Sequence, residues 1–145
     1  MRKLHAAGHI LLVVSEGRKA KIEAIAEQLG VLKCFDRVIE GIKSAALYQR
    51  ILRFTGMPKR AFMIGDQLDR DIIPAKAAGL ETIYFPGGFR PRWSLNASDM
   101  RADHVIGTFA SVPDIVDDQV DRNHSGHDRL PETDLLKRRR EIGRD

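Results

Sequence analysis

Short apolar runs alternate with stretches of helical spacing along most of this chain. Residues 9–15, HILLVVS, form a continuous β-branched run too short for a helix, which predicts a buried strand. GRKAKIEAIAEQLGV follows, with Ile22, Ile25, Ala26 and Leu29 at helical spacing and Gly30 as the stop. FDRVIEG predicts a second strand. SAALYQRILRFTG predicts a second helix, with Ser44 as its cap, Leu47, Ile51 and Phe54 on one face, and Gly56 at its end. RAFMIGD then reads as a strand, DRDIIPAKAAG as a helix and LETIYFPGG as a strand. ADHVIG predicts a last short strand, and SVPDIVD a closing helical turn.

Strands and helices alternating at this spacing predict an α/β fold, a parallel sheet covered by helices on both faces. The periodicity stops near Val116. Residues 117–145 are rich in charge and nearly free of aromatics, the composition of a disordered tail, which places a folded core at 1–116. Lys137–Arg140 (KRRR) reads as a solvated charge run, and His124 and His127 as surface histidines.

Composition adds exclusions. The formal charge is +4: seventeen basic residues face twelve acidic ones up to Val116, and seven face eight beyond it. A mildly positive core suits small anions such as phosphate esters. No basic stripe with interleaved aromatics appears, so nucleic acid is not expected. The single cysteine, Cys34, forbids an internal disulfide and suggests a reducing compartment. No apolar run approaches the ~20 residues of a membrane span. The opening MRKLHAAGHILLVV has no small-residue cleavage site, and a cytoplasmic location is expected.

In a parallel sheet the ligand edge lies at the carboxyl ends of the strands. Three strands run into polar residues of distinct chemistry: HILLVV into Ser15, RVIEGI into Lys43 and FMIG into Asp66. Taken singly, Ser15 also suits a helix cap, Lys43 a loop lysine and Asp66 a turn residue. Together they deliver a hydroxyl, an ammonium and a carboxylate to one rim. Asp66 and Asp71 form the spacing Gly-Asp-x-x-x-x-Asp. Uncompensated carboxylates this close raise one another's pKa, and a hard cation such as Mg2+, bound beside a phosphate, resolves the repulsion. Asp69 reads as the cap of the following helix. Arg90, Arg92 and Trp93, in the loop FPGGFRPRWSLN, could meet an anion or stack on a ring, or pack the loop down.

With LLVVSEGRKAKIEAIAEQLGVLKCFDRVIE, Lys43 and RAFMIGDQLDRDIIPAKAAGLETIYFPGG in place, the chain resembles the haloacid dehalogenase (HAD) superfamily of phosphohydrolases. The resemblance spans roughly residues 2–116. It implies a HAD-like Rossmannoid fold, a three-layer α/β/α parallel sheet incomplete at the N-terminus. It implies that Ser15, with Glu16 and Gly17, binds the transferring phosphoryl group. It further implies that Lys43 steadies the charge of nucleophile and phosphate, and that Asp66 and Asp71 hold magnesium. The family lysine is usually followed by proline; here Ser44 follows.

The family attacks phosphate with the first aspartate of an Asp-x-Asp motif at the end of a first strand, forming a phospho-aspartate. Only MRKLHAAG precedes HILLVV, so that strand, its nucleophile and the usual cap insert are absent from the pattern. The retained clamp would then bind phosphate or a small phosphorylated metabolite and turn over weakly or not at all. Two alternatives stand beside this. One is a split phosphatase, in which a protein partner or a second copy fills the missing-strand position. The other is a non-catalytic phosphate- or partner-binding module.

Overall fold

A computed structural model describes residues 1–86 and 102–117 of the chain. Two compact units result, one containing Met1–Ile42 and the other Lys43–Val120. Arg90, Arg92, Trp93, His124, His127 and Lys137–Arg140 lie outside the described residues.

The first unit runs from helix α1 (Arg2–Ala6) through strand β1 (Leu12–Ser15) and helix α2 (Lys19–Gln28) to a 3-10 turn (Leu32–Cys34) and strand β2 (Arg37–Glu40). β1 and β2 pair in parallel from Leu12↔Arg37 to Ser15↔Glu40. Asp36 closes the start of the ladder, its side chain accepting from the Leu11 N–H at 2.8 Å while its own N–H donates to the Leu11 carbonyl at 2.8 Å. The core of this unit is small: Leu4, Ala26, Cys34 and Val38. The predicted stripe on α2 is only half realised. Its inward row runs through Ile22 and Ala26, whereas the neighbouring row, Ile25 and Leu29, faces out at 43% and 69% exposure. β1, expected to be fully buried, is half-buried throughout, because β2 covers one of its edges and no described strand bonds the other.

The second unit contains α3 (Ala45–Phe54), β3 (Phe62–Gly65), a π-helix (Leu68–Ile72) continuing into α4 (Ile73–Ala77), β4 (Glu81–Tyr84), β5 (His104–Val105) and α5 (Val112–Asp117). Its three strands are parallel in the order β3-β4-β5, with Phe62↔Glu81 and Ile83↔His104 in register. Here the core is deeper and includes Leu47, Tyr48, Ile72, Ala75, Ile83, Ile106, Val112 and Val116. Ser44 caps α3 as predicted, its hydroxyl accepting from the Leu47 N–H at 3.2 Å. The predicted face of α3 is realised in part: Leu47 is buried, Ile51 is half-buried and Phe54 is 42% exposed, while Tyr48 joins the buried side. Gly30 and Gly56 end their helices with φ of +64° and +80°, the left-handed conformation in which glycine carries no Cβ penalty.

The largest local departure from expectation follows β3. The helix there begins with Gln67 at its cap position rather than Asp69, and its first turn is π-helical. Asp69 lies exposed inside that turn, where the helix dipole still favours its charge.

Candidate functional site

β3 ends at Gly65, and the chain turns through Asp66 and Gln67 into the π-helix. A Cβ placed on Gly65 would collide with the Asp71 side chain, whose Cβ, Cγ and Oδ2 already fill that space. Glycine is required here because the helix folds its carboxylate back onto the strand end. Asp71 is 1% exposed, a depth at which a lone carboxylate is costly. Two donors offset that cost: Lys43 Nζ at 2.6 Å from Oδ1, and the Gln67 N–H at 3.1 Å from Oδ2.

Lys43 stands at the head of α3, directly before the capping Ser44, and its side chain is 17% exposed. A pair this short and this buried is retained as a unit, because removing either charge strands the other in a low-dielectric setting.

Asp66 is different. Its carboxylate is half-buried and makes no hydrogen bond or ion pair among the described residues. The repulsion anticipated from the sequence is thus relieved on one side by Lys43 and left open on the other. Among the described residues no group of three or more His, Cys, Asp or Glu side chains converges. Magnesium does not require one: it takes one or two carboxylates and completes its octahedron with water and phosphate oxygens. The unpartnered Asp66 carboxylate, with Asp71 five residues on, fits that donor set.

In the first unit, Ser15 is the last residue of β1, and its hydroxyl oxygen accepts from the Gly17 N–H at 3.0 Å. Glu16 and Gly17 lie exposed in the turn that follows. The N-terminus of α2 has no cap from its own N-cap residue, Arg18. Glu40 supplies it from the end of β2, accepting from the Lys19 N–H at 2.7 Å. Ser15, Glu16 and Gly17 therefore gather in the first unit, and Lys43, Asp66 and Asp71 in the second.

Polar clusters that the sequence reading passed over lie at the opposite, starting edge of the second unit's sheet. Glu81 accepts from Arg60 at 2.7 Å and sits 2.8 Å from His104 Nε2, while Arg60 also stacks 4.6 Å over the Phe62 ring. Burial pushes the Glu81 pKa up, but the hydrogen bonds and charges of Arg60 and His104 outweigh it and leave it lowered. Asp103 accepts from Lys76 at 2.8 Å and from both the N–H and hydroxyl of the fully buried Thr82, at 2.8 and 2.7 Å. Burial again acts upward, and these donors override it, holding Asp103 down at about 2. The signal for both clusters was a charged or hydroxyl residue at the start of an otherwise apolar strand. A cavity lined by Leu52, Met57, Arg60, Ala78 and Glu81 also opens at this edge, and no predicted site residue lines it.

The HAD-hydrolase-like family profile matches residues 40–112, which include Lys43, Asp66 and Asp71, and the chain belongs to that family. Solved structures agree. A HAD phosphatase from Thermococcus onnurineus is 28% identical, with a TM-score of 0.63 over 79% of this chain and 54% of its own. A haloacid dehalogenase-like family hydrolase from Xanthomonas campestris is 26% identical, with a TM-score of 0.62 over 85% of this chain and 52% of its own. The magnesium-bound HAD-hydrolase YfnB from Bacillus subtilis, at 16% identity and a TM-score of 0.62 over 80% of this chain and 51% of its own, shares the fold. The chain thus spans about half the length of these structures. Among curated proteins no sequence matches. The fold is α/β, of the HAD-like Rossmannoid class.

Proposed function

We propose that this chain carries the phosphate- and magnesium-binding half of a HAD-type phosphohydrolase. The observation that carries the reading is the division of labour between the two carboxylates at the end of β3. Asp71 is buried and bonded to Lys43 at 2.6 Å, whereas Asp66 has no partner among the described residues. Asp66 would hold magnesium, with Asp71 behind it, and the cation would supply charge neutralisation for a phosphate group. Asp71 orients the Lys43 ammonium, which then faces the anion as a fixed positive charge. Within the first unit, Ser15 with Glu16 and Gly17 is proposed separately as a phosphate-binding turn, and the substrate class is a small phosphorylated metabolite.

Binding is proposed as the stronger property and turnover as the weaker one. Covalent phosphoryl transfer needs a positioned nucleophile, and no Asp-x-Asp ends any described strand; Asp69 and Asp71 lie inside the π-helix. Calorimetric titration of the whole chain with inorganic phosphate tests this. Heat that requires Mg2+ and vanishes in Asp66→Ala is expected, with little hydrolysis of p-nitrophenyl phosphate. Turnover that disappears in Asp66→Ala would show that a nucleophile is present after all.

A second reading, half of a split phosphatase, is favoured by the strand edges. Among the described residues β1 is bonded to β2 alone and β3 to β4 alone, so each offers an edge that no described strand pairs within its own sheet. A peptide carrying a HAD first strand should then raise the melting temperature, and no change counts against this reading.

A further inference from the structure

Pro74 lies four residues after Arg70. In an α-helical register the Arg70 carbonyl would accept from the N–H of residue 74, and proline has none. The helix responds by widening. The N–H groups of Asp71 and Ile72 both reach the Gln67 carbonyl, at 2.8 and 3.3 Å, and the Ile73 N–H reaches the Leu68 carbonyl, the spacing of a π-turn. Into this turn points the hydroxyl of Tyr48, from α3, which donates to the Arg70 carbonyl at 3.2 Å. Tyr48 is 1% exposed, and a phenol so buried needs an acceptor. The carbonyl it grips belongs to the peptide bond that leads into Asp71. The start of α3 therefore holds the π-turn at two points: Lys43 through the Asp71 carboxylate and Tyr48 through the preceding carbonyl.

We infer that Tyr48 is a positioning residue, which sets the phase of the π-turn and so the direction of the Asp71 carboxylate and the Lys43 ammonium it orients. This deepens the proposed phosphate and magnesium site and rests on that reading for its effect on ligand. Its effect on the free protein is separate, because the Asp71 carboxylate also holds the Gln67 N–H at 3.1 Å.

The experiment compares the whole chain with Tyr48→Phe, which removes one oxygen and keeps the ring, and with Pro74→Ala, which restores an N–H to the helix. Amide hydrogen exchange is read at Gln67 in the π-turn and at Ile83 in the middle of β4, and phosphate titrations are run with Mg2+. Loss of the hydroxyl's hydrogen bond in Tyr48→Phe should speed Gln67 exchange about tenfold, leave Ile83 unchanged and weaken Mg2+-dependent phosphate binding about five- to tenfold. Pro74→Ala, whose new N–H competes with the hydroxyl for the Arg70 carbonyl, should speed Gln67 exchange and weaken phosphate binding in the same direction, again with Ile83 unchanged. Equal acceleration at Ile83, an unchanged Gln67 amide, or a Tyr48→Phe chain that does not fold gives the hydroxyl no positioning role and overturns the inference. Should the unaltered chain bind no phosphate with Mg2+, the site reading falls, while the exchange data still decide the role of Tyr48.

Discussion

The two edges of the β3-β4-β5 sheet carry carboxylates in opposite conditions. At the starting edge, Glu81 and Asp103 are partly exposed and amply served: Arg60 and His104 bond the one, Lys76 and both donors of Thr82 the other. At the finishing edge, Asp71 is almost wholly buried and held by Lys43, and Asp66 has no partner among the described residues. A cluster that only holds strands together satisfies itself within the chain. One acceptor left over beside a buried ion pair is the condition of a site that a ligand completes.

Substitutions can break or sharpen this contrast. The largest effect is expected from Lys43→Met, which strands the buried Asp71 carboxylate and should cost about 3–5 kcal/mol in urea denaturation. Arg60→Met, at the starting edge, should cost about 1 kcal/mol or less, because Glu81 is partly hydrated and keeps His104. Equal losses would erase the distinction between the edges. Gly65→Ala forces a methyl group into the space of the Asp71 side chain, and about 1–3 kcal/mol of destabilisation is expected from overpacking.

Acid should act on the starting edge. Asp103 titrates near 3.8 when unfolded and near 2 when folded, so the folded chain holds fewer protons between those values. Its contribution is complete above pH 3.8 and is lost as pH falls toward 2, with Glu81 acting in the same direction. Asp103→Asn should flatten that part of an acid titration followed by circular dichroism. The smallest stability change is expected from Asp66→Asn, within about 0.5 kcal/mol, since no bond among the described residues is broken. The same variant should abolish Mg2+-dependent phosphate binding.

Much of the strand and helix order was legible because it rests on local signals. β-branched runs gave the strands, Ser44 the cap of α3, and Gly30 and Gly56 the helix ends. The spacing of Asp66 and Asp71 after Gly65 drew the eye to the finishing edge, but not to how the two differ. That difference depends on Lys43, which meets Asp71 across 28 residues of chain, and periodicity says nothing about such a distant partner. The shifted helix start was also hidden, although Pro74, which cannot donate to the Arg70 carbonyl, was a visible irregularity in that helical pattern. The exposed row on α2, Ile25 and Leu29, shows that spacing names a stripe without saying how wide its cover is.

Glu40 has a consequence for the loop between β1 and α2. Its backbone lies opposite Ser15 in the ladder, and its side chain holds the Lys19 N–H, so one residue clasps both ends of a three-residue span. Fixing a backbone residue costs about 1–2 kcal/mol of conformational entropy. In the proposed phosphate contact at this turn, an anion arriving at Glu16, Gly17 and Arg18 would meet a segment whose freedom was already surrendered when the chain folded.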